Sequence, residues 1–212
     1  MTVAAIRGLI EEAIDQEDIN HQLHHLIEQN LQHLHRSIRI PEHNQVQRMV
    51  DFVKSYVTQV PDFISSVRAT TTRAGIYAYA EPFLNVAEAF FLNPPEITRD
   101  HTGLDGLMGA AFLANRLIEE VNDVFMMKTG FPLMAMDMTT ANLVIHALIG
   151  EPYSNELDQA VLHIVDEMMS AHGVFQSAEF HEFLTSHRSG LEDEWPCMSS
   201  LHGIELGQVS NG

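Results

Sequence analysis

The sequence predicts an all-α fold: a single-domain bundle of about seven or eight helices with a C-terminal extension. Three observations carry this. Apolar residues recur at helical spacing along most of the chain, with no alternating run bounded by hairpin turns. Hydrophobic residues make up 45% of the 212 and charged ones only 19%, enough apolar material for one sizeable core. Proline and glycine interrupt the helical period where helices are expected to start and stop.

The first helix is expected over 3–15, with Thr2 as its N-cap. A second runs over 18–38, with Ile19, Leu23, Leu26, Ile27, Leu34 and Ile38 along one stripe. Pro41 suits the first turn of a third helix, and Glu42 suits that helix's positive end. Pro61 is expected to kink or end it, with a restart from Asp62. A very apolar helix spans 74–92 despite Pro82 and is stopped by Asn93, Pro94, Pro95 and Glu96. A long helix over 103–128 closes near Gly130, and a short one over 138–149 ends at Gly150. Another over 154–172 ends at Gly173, and a last short helix covers 177–186. The bundle domain is thus 1–188, and 189–212 is an acidic, partly extended tail. Trp195, Cys197, Met198 and Leu201 are unusual for free coil, so the tail reads as a strap on the body or as a partner-binding motif.

Lys and Arg number 11 against 29 Asp and Glu, a formal charge of -18. Such a surface repels phosphates, so neither nucleic acid nor a membrane surface is the expected partner. One cysteine, Cys197, excludes an internal disulfide. No apolar stretch has signal-peptide character or spanning length, and the expected location is the cytoplasm. Phosphate-binding glycine loops and the nucleophile elbow of hydrolases are missing from the sequence.

Histidines cluster in two places. His21, His25, Glu28, Gln32 and His35 fall opposite the apolar stripe of the second helix. They read as a solvated polar face, with His21 and His25 a pair able in principle to ligate a transition metal. His163 and Glu167 point away from the core side of their helix as a surface pair. His172 and Asp158 fall on the core side, as caps or core-edge hydrogen bonders.

Narrow polar stripes on otherwise apolar helices are the strongest functional signal. In 74–92, Tyr77, Glu81, Asn85 and Glu88 share one strip. In 138–149, Asn142 and His146 share another, with Thr139 adjacent. In 103–128, Asn115, Glu119 and Asn122 form a third, while Arg116, Glu120 and Asp123 look outward. A buried carboxylate needs a partner, a proton or a metal. If the stripes converge, Glu81, Glu88, Glu119 and His146 are the candidate metal ligands, for iron or another transition metal. The Glu-x-x-His pairs of di-iron bundles are missing, however.

Two functional readings follow. In the first, the chain is an interaction module that binds a protein partner or self-associates as a homo-oligomer. In the second, it binds a small-molecule ligand, or is a metal-dependent oxidoreductase, through a pocket between 74–92, 103–128 and 138–149.

Overall fold

The computed structural model describes residues 2–94, 101–130, 132–133, 137–168, 175–186 and 197–207. The fold is all-α. Among the described residues, eight α-helices are joined by two 3-10 turns and one two-stranded ribbon. In chain order they are α1 (Thr2–Asn20), α2 (Gln22–Asn30), α3 (Gln45–Arg73), α4 (Tyr77–Leu92), α5 (Gly103–Thr129), α6 (Thr139–Ile149), α7 (Tyr153–Met168) and α8 (Ala178–Ser186). No helix among the described residues is long and apolar enough to cross a membrane.

The centre of the molecule is α5. Leu104, Met108, Phe112, Leu117, Ile118, Val121 and Phe125 bury its different sides, and α1, α2, α3, α4, α6 and α7 all pack against it. The first half of α5, apart from Asp105, is apolar on nearly every side and must be surrounded in this way. Gly109 admits α7 closely, because a Cβ there would meet the Tyr153 hydroxyl at 3.0 Å. Gly130, at φ 80°, closes α5 with an N–H to the Met126 carbonyl, as the sequence leads one to expect.

Three expectations for the first half of the chain need correction. The helix expected over 18–38 does not run through: α1 extends to Asn20, His21 turns left-handed at φ 55°, and α2 ends at Asn30. The cause is Glu17. Its buried carboxylate accepts the backbone N–H of Leu23 at 2.7 Å and of His24 at 2.9 Å, giving α2 its own start. A side chain that satisfies backbone donors competes with helix continuity in this way. Pro41 lies outside α3, which begins at Gln45. Within α3, Pro61 neither ends nor restarts the helix. Pro61 is buried, as are Val57, Val60 and Ile64 on the turns around it, and burial of this face offsets the usual cost of about 3 kcal/mol.

From 197 to 207 the chain is tied down. Ile38–Arg39 (β1) pairs antiparallel with Glu205–Leu206 (β2). The Met198 N–H reaches the Asp137 carbonyl at 3.2 Å, and Met198 and Ile204 are fully buried. The His202 ring meets Phe52 of α3 edge to face at 5.8 Å. Leu201 stays exposed. Trp195, Pro95, Glu96, His172 and Gly173 lie outside the described residues.

Candidate functional site

The polar stripe of α4 does not join the others. Glu81 and Asn85 face solvent. Glu88 is 6% exposed and binds Arg68 of α3 at 2.5 Å. That guanidinium is held above the usual arginine range chiefly by its hydrogen bond to Glu88. The expected pocket between 74–92, 103–128 and 138–149 is therefore corrected: α4 turns its carboxylates to solvent and to α3.

The stripes of α5 and α6 do converge, and α7 completes the site. Phe112, Arg116 and Glu119 of α5, Thr139, Asn142, Leu143 and His146 of α6, and Asn155, Asp158, Gln159 and Leu162 of α7 line a cavity of about 540 Å³. Of the four candidate ligands, Glu119 and His146 are brought together here, and Glu81 and Glu88 are not. Asn142 from the same strip also lines it.

The floor is one connected hydrogen-bond chain. Tyr56 of α3 donates its hydroxyl to Asn142 Oδ1 at 2.6 Å. Asn142 Nδ2 donates to Glu119 Oε2 at 3.0 Å, and Arg116 Nη1 donates to the same oxygen. The Glu119 carboxylate fixes which way the Asn142 amide points, because it can only accept, and this leaves Asn142 Oδ1 to accept from the phenol. Burial pushes the Tyr56 phenol far above its ordinary pKa, so it stays a donor. Asn115 faces that phenol from α5 without a well-formed hydrogen bond, and both its polar atoms are buried with no hydrogen-bond partner among the described residues.

Arg116 is the charge at the centre. Besides Glu119, it reaches Glu120 at 3.4 Å and Asp158 at 3.5 Å. Asp158 in turn lies 3.3 Å from His146 Nε2, and the His146 ring stands 6.0 Å from Phe112. Burial alone would lower the Arg116 pKa, but the Glu119 carboxylate and its neighbours outweigh burial and hold it raised. Burial pushes the Glu120 carboxyl up, with Asp123 and Glu119 adding to it and Arg116 opposing. Three carboxylates thus share one guanidinium, and the cluster keeps an excess of negative charge.

The walls are apolar. Phe112 closes one side, and Leu143 and Leu162 stand at the rim, 51% and 52% exposed. His146 also lines a second cavity of about 530 Å³, with His33, His35, Glu151 and Ser154. There the buried Ser154 hydroxyl has no hydrogen-bond partner among the described residues.

Arg116 was expected to look outward and Asp158 to serve as a cap or at a core edge, and nothing in the helical period marks Tyr56 as part of the site. Neither contact of Asp158 was accessible from one helix, because α5, α6 and α7 meet only in the fold. The spacing of Arg116 to Glu119 and Glu120, three and four residues apart, was the one available signal. The surface pair His163 and Glu167 is where expected, at 3.3 Å and exposed. No family model, no curated protein and no solved structure matches the chain.

Proposed function

We propose that the chain is a ligand-binding helical-bundle protein. The α5/α6/α7 pocket takes a small organic cation, an amine with an apolar body. The observation that carries this reading is the excess of carboxylates over guanidinium in a cavity with apolar walls. Glu119 and Asp158 line it, Glu120 adjoins it, and Arg116 is the one cation they share. An ammonium group there completes the balance of charge, and Phe112 offers it an aromatic face. The net charge of -18 raises the local concentration of cations in the same sense. Few convergent polar groups in an apolar cleft are the usual make-up of a small-molecule site.

This chemistry disfavours a metal ion at Glu119 and His146. A dication there would compete with Arg116 for Glu119, and His146 is already beside Asp158. The test is a thermal-shift screen of alkyl- and arylamines against the matching alcohols and carboxylates. Amines should raise the melting temperature of the wild type and leave that of Asp158→Asn unmoved. Equal shifts for amines and carboxylates would contradict the reading.

A second reading rests on Leu143 and Leu162, whose exposure on adjoining helices would suit a protein partner or a second copy of the chain. Under that reading, Leu143→Glu abolishes an association measurable by light scattering, and amines have no effect.

A further inference from the structure

We propose that His24, His25 and Glu28, on α2, form a binding site for a divalent transition-metal ion of the zinc class. One imidazole nitrogen from each histidine and one carboxylate oxygen lie within 4.8 Å of one another. No other set of three or more His, Cys, Asp or Glu side chains among the described residues meets that condition. Glu28 is one turn beyond His24 and three residues beyond His25, so its carboxylate lies between the two imidazoles on the helix surface. His25 Nδ1 already stands 3.7 Å from Glu28 Oε2. The rings of His24 and His25 are 6.0 Å apart. Bonds of about 2.0–2.2 Å in a tetrahedral site need ligand atoms roughly 3.4 Å apart. Small rotations close the gap, and they cost little because His25 and Glu28 are exposed and His24 is half-buried.

The break between α1 and α2 favours the site. A cation near a helix N-terminus normally meets the positive end of the helix dipole. Here the buried Glu17 side chain occupies that end, its two oxygens accepting the N–H groups of Leu23 and His24, so those donors are not left facing the ion. The left-handed turn also leaves His21 exposed, its ring 6.3 Å from His24, within reach of an open fourth position. Two imidazoles and one carboxylate suit zinc, nickel and copper, whereas magnesium and calcium prefer all-oxygen shells. An ion held here ties down the first turns of α2 and stabilises the folded chain by mass action.

This site is separate from the α5/α6/α7 pocket and stands or falls independently of the ligand proposed there. The test is a titration of the tag-free, chelator-stripped full chain with Zn²⁺ against a chromophoric indicator, repeated in excess Mg²⁺. The expected result is one equivalent of Zn²⁺ insensitive to Mg²⁺. H24A and H25A should each weaken it at least about tenfold, and E28Q should weaken it too. H33A and H35A should leave it unchanged. Imidazole NMR signals of His24 and His25 should shift with one equivalent of Zn²⁺ in the wild type. Failure to bind one equivalent, or binding that survives H24A and H25A, would overturn the site.

Discussion

His146 Nε2 lies 3.3 Å from Asp158 Oδ2, and this contact joins α6 to α7 across the mouth of the pocket. Both side chains are about one-third or less exposed. Because Asp158 also faces Arg116, its carboxylate is shared between a cation and an imidazole. Asp158→Asn should therefore leave the fold within about 1 kcal/mol of wild type, as for other part-exposed pairs. Chemical denaturation checks the stability of this variant.

Tyr56 and Asn142 form a buried pair whose partners depend on each other. Tyr56→Phe strands the Asn142 carbonyl, and Asn142→Leu strands the phenol. Each should cost about 1–3 kcal/mol. The double variant should cost less than the two single losses added, since it removes donor and acceptor together. Additive losses in a double-mutant cycle would show that the hydrogen bond contributes nothing.

Glu88 acts with Arg68 as a structural pair. Arg68→Ala leaves a nearly buried carboxylate without its partner and should destabilise by about 2–4 kcal/mol, less than for a fully buried pair because water reaches the partly exposed arginine side. Glu88→Leu, which removes the charge itself, should be much milder. Urea midpoints of the two variants decide this. A milder effect for Arg68→Ala than for Glu88→Leu would contradict the assignment.

Protonation of His202 should loosen the docked 197–207 segment. Burial lowers the His202 pKa, with Asp51 opposing. The neutral ring is therefore the form the fold prefers. The stability it contributes is present above its ordinary value of 6.5 and is lost as pH falls below that towards the lowered folded value. From about pH 7 to pH 5, hydrogen exchange at Ile204, whose N–H bonds to the Ser199 carbonyl, should slow less than the intrinsic rate does, an excess over the intrinsic trend. In His202→Gln this excess should disappear.

Glu17→Ala removes the acceptor of two backbone N–H groups at the start of α2 and should cost about 1–3 kcal/mol. Glu17→Gln, which keeps one acceptor oxygen, should recover part of that, as read by thermal unfolding.

The sequence made legible whatever a single helix decides for itself. The apolar run at the start of 103–128 marked a helix that needs neighbours on most sides, and Gly130 and Gly150 marked the ends of α5 and α6. The shared strip of Asn142 and His146 was visible because four residues make one turn. What one period cannot show is which neighbour a strip meets. Glu81 and Glu88 carry the same pattern as Glu119, yet one faces solvent, one faces Arg68 and one faces the pocket. The α1/α2 break was hidden because Glu17 acts through its side chain on backbone groups six and seven residues ahead, which periodicity does not register.

The most direct test of the pocket is an NMR titration of the labelled chain with an arylalkylamine and, separately, with the carboxylate of matching shape. The account predicts that the amine alone shifts the signals of Asn142, His146, Leu143 and Leu162, and that Glu119→Gln weakens this response. Shifts of equal size with the carboxylate, or none at these residues with any amine, would contradict it.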